Sequence, residues 1–109
     1  MQEFIEYLTA QAEAANAEID DLETSGRADD AAFAKVKANI YDVCKTVSLA
    51  LVDRPSLGIG AIKARFEGFQ TSWGTALEKA REHGDVRAVA VEETKLAALA
   101  DAIAHFPEA

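Results

Sequence analysis

Carboxylates and histidines are the side chains of this chain best suited to chemistry, and their spacing tests for a metal site. A di-iron site in a helical bundle requires a Glu-x-x-His motif on each of two helices. The positions three after Glu92 and Glu93 hold lysine and leucine instead. Asp101 lies four residues before His105, which is neighbour spacing on a helix, but one pair does not form a metal site. We therefore expect no metal and no cofactor.

The single cysteine, Cys44, is the next candidate for chemistry. A nucleophilic thiol needs a base beside it, and Lys45 points about 100° away on a helix. Gly58-Ile59-Gly60 is not a phosphate-binding loop, because no strand precedes it and a third glycine is missing. We expect no catalytic residue, and we interpret Cys44 as a buried structural thiol. No residue pattern here resembles the signature of a known family.

Glu92 and Glu93 interrupt an apolar stripe, so one of them is expected to face inward. One interpretation is a boundary glutamate whose head reaches solvent or a lysine. The alternative is a small-ligand pocket that combines a carboxylate with an aromatic stripe. The residues of that pocket would be Phe66, Phe69, Trp73 and Glu93.

Acidic residues are concentrated at the start of the chain. The formal net charge is −8, and residues 1–26 hold seven acids and no lysine or arginine. Such a surface repels phosphate backbones, so we expect no nucleic-acid binding. No apolar stretch approaches the ~20 residues that span a bilayer, so we expect no membrane partner either. The acids are Glu3, Glu6, Glu13, Glu18, Asp20, Asp21 and Glu23.

Glu6, Glu13 and Asp20 recur every seven residues and therefore form one line along a helix. We predict that this line faces outward and is the electrostatic face for a basic protein partner. The alternative is a solvated surface that only keeps the protein soluble.

Four runs of apolar residues, each stepping by three and four, predict four α-helices. The expected ranges are 2–25, 30–52, 57–83 and 86–105. Short connections make consecutive helices antiparallel, so the sequence predicts an all-α, up-down-up-down four-helix bundle. The expected core contains Phe33, Ile40, Phe66, Phe69, Trp73, Leu96 and Leu99.

Residues at the expected helix ends agree with these ranges. Gly26 and Gly84 are suited to C-terminal caps, since glycine adopts left-handed conformations readily. Asp29 or Asp30 is expected to cap the second helix and Asp85 the fourth.

Residues 1–109 are predicted to form one domain. Pro55 is expected to end the second helix and Ser56 to cap the third. The alternative architecture is a helical hairpin or a three-helix unit that is completed by dimerisation.

Small residues line the third helix opposite its aromatic stripe, and we expect a neighbouring helix to approach closely there. The alternatives are a binding groove, a dimer contact or a flexible helix start. These residues are Gly60, Ala64, Gly68 and Ser72.

The sequence leads to two functional hypotheses. The first is a non-catalytic protein-interaction or regulatory module, acting on a protein partner or on a second copy of itself. The second is a small-ligand-binding bundle. The start Met1-Gln2-Glu3 lacks the basic residue of a secretion signal, and one cysteine fits a reducing compartment, so we expect a cytoplasmic protein.

Overall fold

The computed structural model describes residues 1–53 and 58–107, and it confirms the all-α four-helix bundle. No strand occurs in those ranges. Over the same residues, no helix combines the length and the apolar character needed to cross a bilayer. Pro55 and Ser56 lie outside the described residues. The helices are α1 (Gln2–Thr24), α2 (Ala28–Leu51), α3 (Gly58–Glu82) and α4 (Val86–Ala104).

Three of the predicted helix caps are confirmed. Gly26 and Gly84 follow α1 and α3 with φ angles of 76° and 67°, in the left-handed region that favours glycine. The Asp85 side chain accepts a hydrogen bond from the Ala88 N–H at 3.0 Å and caps α4.

The predicted cap of α2 is wrong. Arg27, rather than Asp29 or Asp30, occupies the N-cap position, and it makes no side-chain cap bond. The turn through Gly26 brings the Arg27 N–H within 2.8 Å of a carbonyl oxygen of α1, so α2 begins immediately after the turn. Both aspartates instead lie in the first turn of α2, where their charge favours the helix N-terminus.

The helices pack as two antiparallel hairpins, α1 with α2 and α3 with α4. The hairpins join through α2 and α4, which run in the same direction and pack against each other. Near the starts of these two helices, Arg87 Nη1 lies 3.7 Å from Asp29 Oδ1. The bundle is flattened, with Cα extents of 46, 34 and 19 Å along its principal axes. Its radius of gyration of 15.0 Å accordingly exceeds the roughly 13 Å of a compact chain of this length.

The main core lies where the start of α1 meets α3 and the end of α4. Phe4, Phe66 and Phe106 form an aromatic cluster there, with ring centroids 5.2 to 6.2 Å apart. Leu8 and Ile62 are fully buried in the same core. These edge-to-face and tilted ring pairs are the favoured arrangements of aromatic side chains. They join helices from both hairpins.

Part of the predicted core is confirmed. Ile40, Phe66 and Leu99 are fully buried, with exposures of 0 to 2%. Phe69 and Trp73 pack against this core but remain partly exposed, so they lie at its edge.

The prediction that Phe33 and Leu96 belong to this core is wrong. Both are half-buried and neither belongs to the core cluster or packs against it. Leu96 lies near the middle of α4, and Phe33 lies in the half of α2 that is far from the Phe4 end. There α1 and α4 do not pack together, and the apolar stripe of α2 is wider than its neighbours cover.

The expected helix contact along the small residues of α3 is also wrong. Gly60 and Gly68 are exposed, and no atom of another element lies within 4 Å of where their Cβ atoms would be. Ala64 and Ser72 are exposed as well. Since nothing in the described residues packs on this strip, these glycines do not serve helix packing.

Candidate functional site

Three side chains from three helices meet near the start of α1, and we call them the tyrosine–aspartate cluster. Tyr7 of α1 and Tyr41 of α2 both donate their hydroxyl hydrogen bonds to Asp101 Oδ2 of α4, at 2.6 and 2.7 Å. Tyr41 is buried, whereas Tyr7 and Asp101 are partly exposed. Because each residue comes from a different helix, the cluster fixes α1 against both α2 and α4.

The electrostatics of the cluster keep the two tyrosines neutral and the aspartate charged. Burial raises the pKa of Tyr7 to about 12, and the hydrogen bond to Asp101 adds to that effect. Burial and the same carboxylate also raise the pKa of Tyr41. Burial raises the pKa of Asp101, but the two tyrosine hydrogen bonds, with help from the His105 and Lys37 charges, bring it below its usual value. The cluster is thus a set of neutral donors around one charged acceptor.

His105 extends the cluster towards solvent. Its ring stacks on Tyr7, with centroids 3.9 Å apart and planes 19° from parallel. Its Nδ1 lies 2.9 Å from the Asp101 backbone oxygen and 3.5 Å from Asp101 Oδ1. Both neighbours accept hydrogen bonds, so Nδ1 carries the proton. The raised tyrosine pKa values leave these hydroxyls weak nucleophiles at neutral pH, and the arrangement serves to join helices.

Further along α1, away from this cluster, α1 and α4 stand apart over α2 and leave an open groove of about 430 Å³. We call it the α1/α4 groove. Most of its lining surface is apolar. Phe33 and Leu22, which are both half-buried, supply part of that surface. Its lining residues are Glu18, Asp21, Leu22, Arg27, Asp30, Phe33, Ala34, Lys37 and Thr94.

Charged side chains surround the apolar part of the α1/α4 groove. Glu18 and Asp21 are exposed on α1, and among the described residues neither has a basic group within 4.0 Å. Arg27 is held by Asp30, with an Nη2–Oδ2 distance of 2.6 Å and an Nε–Oδ2 distance of 2.8 Å. Lys37 lies towards the Asp101 end and acts on that carboxylate. The α1 side of the groove is therefore negative.

The three acids predicted to form a partner face lie on one side of α1. Glu6, Glu13 and Asp20 are all exposed. They lie on the side of α1 away from the buried Leu8 and Ala12. Their outward direction is as expected, and their binding to a partner stays a prediction.

The structure places the four residues of the predicted ligand pocket in different surroundings. Phe66 is fully buried in the core, whereas Glu93 is exposed to solvent. Phe69 and Trp73 stack on each other, with ring centroids 5.1 Å apart. The Lys95 ammonium lies 5.7 Å from the Trp73 ring centre and covers that stack. The Trp73 ring is thus already in contact with Phe69 and Lys95.

Glu92, rather than Glu93, is the inward-facing carboxylate. Its Oε1 accepts a hydrogen bond from Lys95 Nζ at 3.1 Å, as in the interpretation of a boundary glutamate that reaches a lysine. Its Oε2 is buried and has no hydrogen-bond partner among the described residues.

Cys44 is buried, as expected of a structural thiol. Burial raises its pKa to about 12, so the reactive thiolate is scarce at neutral pH. Within residues 1–53 and 58–107, no group of three or more His, Cys, Asp or Glu side chains is arranged to hold a metal ion.

Sequence reasoning missed both the tyrosine–aspartate cluster and the α1/α4 groove. The Asp101–His105 spacing was a local signal for part of the cluster. Tyr7 and Asp101 are 94 residues apart, however, and no local spacing connects them. Glu18 and Asp21 belong to the acidic run, but only the open groove between α1 and α4 distinguishes them from the other acids.

No model of a known protein family matches this chain, and no curated protein or solved structure is significantly similar to it.

Proposed function

We propose that this protein is a non-catalytic interaction module that uses the acidic surface of α1 to bind a basic protein partner. The observation that carries the proposal is that most acidic side chains of α1 have no ion-pair partner among the described residues. Among the described residues, only Glu23 of the seven forms an ion pair, with Lys35 Nζ at 3.0 Å. The other six contribute charge and little internal stabilisation.

Uncompensated like charges on one helix repel one another, so they weaken folding slightly while they attract oppositely charged molecules. A field of this kind raises the rate of encounter with a basic partner, and salt screens it. The field has two parts on α1. Glu6, Glu13 and Asp20 form an outer line, whereas Glu18 and Asp21 border the α1/α4 groove.

The test compares charge-neutral variants of α1 with a matched control. Proteins retained from the native host by the wild-type chain are identified, and their association rates are measured with a variant carrying Glu6→Gln, Glu13→Gln and Asp20→Asn. The control neutralises three exposed acids on other helices, through Asp42→Asn, Glu67→Gln and Glu78→Gln. Both variants lose the same charge.

We expect the α1 variant to associate several-fold more slowly, with a weaker salt dependence and a nearly unchanged dissociation rate. The control variant should associate nearly as fast as the wild type. Equal rates for all three proteins at every salt concentration would show that the acidic surface only keeps the protein soluble. Light scattering of the chain alone shows whether the partner is a second copy.

A further inference from the structure

We infer that the α1/α4 groove binds a basic segment of the partner, which places a large apolar side chain over Phe33 and sets lysine or arginine against Glu18 and Asp21. This inference rests on the proposed function and assigns its contact site. The occupant is a short cationic segment with an apolar anchor. The groove offers an apolar surface to the anchor and two carboxylates to the cationic residues.

The apolar counterpart is the surface around Phe33. This ring is half-buried outside the core cluster, and with the half-buried Leu22 it supplies apolar surface that α1 and α4 leave uncovered. The groove volume of about 430 Å³ falls within the usual range for binding clefts, roughly 300–1,000 Å³. It is large enough for a bulky anchor with part of its backbone. Covering Phe33 removes apolar surface from water, which favours binding.

The charged counterpart is the pair Glu18 and Asp21. They are three residues apart on α1, so their side chains lie side by side on the groove border. The Arg27 guanidinium is already engaged by Asp30, and Lys37 lines the groove from α2 rather than from its α1 border. A cationic residue next to the anchor therefore meets two carboxylates that have no ion-pair partner among the described residues.

The arrangement favours a peptide segment over an anion or a nucleic acid, because the α1 border is negative. It also favours an anchor with flanking charge over a purely charged tail, because most of the lining surface is apolar. Apolar anchors supply affinity in such grooves, and flanking charges supply the rate and the choice of partner.

The experiment measures binding of a designed, fluorescein-labelled peptide by anisotropy. The peptide is lysine-rich and carries leucines one helical turn apart. Two comparison peptides replace either the leucines by serine or the lysines by glutamate. We expect only the peptide with both features to bind, with an affinity that falls as salt rises.

A pair of charge reversals then locates the site. The groove variant carries Glu18→Lys and Asp21→Lys, and its control carries Glu13→Lys and Asp20→Lys on the outer line. Both changes alter the net charge equally on the same helix, and all four residues are exposed. We expect the groove variant to bind at least about tenfold more weakly, because like charges would then face each other across the contact. The control should lose only the several-fold in affinity that follows from slower association under the proposed function, because its two positions attract the peptide without lining the groove.

A third variant, Thr94→Arg, adds bulk and positive charge on the α4 side of the groove and is expected to weaken binding similarly. Circular dichroism checks that each variant remains helical.

Equal losses for the two charge reversals would place binding on α1 as a whole, which overturns the groove and leaves the proposed function standing. Unchanged binding to the groove variants, or no binding of the designed peptide to the wild type, would also overturn the inference. A chain that dimerises through this groove would overturn it as well.

Discussion

The two ends of α1 meet α4 in different ways. At its start, Phe4 packs on Phe106, and Tyr7 donates a hydrogen bond to Asp101. Near its end, Glu18 and Asp21 stand across an open groove from Thr94. The same two helices are therefore joined at one end and separated at the other. Contacts concentrated in one part of a small domain leave the rest available for binding.

The two ends also differ in how their polar groups are satisfied. The Asp101 carboxylate receives two tyrosine hydrogen bonds and lies beside His105. The carboxylates of Glu18 and Asp21 have no basic group within 4.0 Å among the described residues. We expect changes at the first end to alter stability and changes at the second to alter binding.

The largest difference should appear when one phenylalanine at each end is truncated. Phe4 is 3% exposed between two other rings, so Phe4→Ala should lower the free energy of unfolding by about 3–5 kcal/mol. Phe33 is only partly buried in the groove, so Phe33→Ala should cost less, about 1–2 kcal/mol. Urea unfolding measures both. Equal losses would show that the groove end contributes as much to folding as the joined end.

Removing one hydroxyl from the tyrosine–aspartate cluster should have the next largest effect. Tyr41→Phe leaves the buried ring in place but removes a hydrogen bond to a charged group, which should cost about 1.5–3 kcal/mol. Tyr7→Phe should cost less, because Tyr7 is partly exposed. The double variant measures the coupling between them. A change close to zero for Tyr41→Phe would mean that the cluster does not join the helices.

The same cluster predicts that the free energy of unfolding depends on pH in the acid range. The folded-state pKa of Asp101 is lower than its ordinary value of 3.8, so the folded state binds this proton less readily than the unfolded state. Its contribution is therefore complete above pH 3.8 and is lost as the pH falls through the lower folded-state pKa. In unfolding experiments, Asp101→Asn should reduce the loss of stability in that acid range. An unchanged acid profile in this variant would assign the loss to other carboxylates.

Replacing an exposed glycine of α3 should have a smaller effect on the free energy of unfolding, and it should stabilise the fold. Gly68 is helical with open space around its Cβ position, so Gly68→Ala should raise the free energy of unfolding by about 0.5–1 kcal/mol. Gly84→Ala is the control, because its φ angle of 67° makes alanine strained and the change destabilising. Destabilisation by Gly68→Ala would indicate that another molecule or helix packs on this strip.

Local rules account for what the sequence predicted well. Apolar spacing located all four helices to within a few residues, and Gly26, Gly84 and Asp85 marked ends because their effects act within one turn. Phe33 was misplaced because its burial depends on the angle between α1 and α4, which no local pattern encodes.

The candidate site was less predictable for the same reason. The acidity of α1 was evident from composition, and the outward direction of Glu6, Glu13 and Asp20 followed from their spacing. The tyrosine–aspartate cluster needed contacts across three helices. Glu92 and Glu93 have similar angles to the apolar face, so only the structure shows which one faces inward.

The smallest effect on stability is expected from the outer acids of α1. Glu6, Glu13 and Asp20 are exposed and recur at an interval of roughly 10 Å along the helix axis, which is about one Debye length at physiological salt. Their mutual repulsion is therefore largely screened. Neutralising all three should change the free energy of unfolding by at most about 0.5 kcal/mol, on the stabilising side.

These acids also test how independent binding and folding are in this helix. If neutralising them slows partner association without changing the urea midpoint, α1 holds the fold at its start and attracts partners along the rest of its surface. A clear loss of stability would instead mean that the three carboxylates form stabilising contacts in solution, and the contrast between the two ends of α1 would then be smaller than the structure indicates.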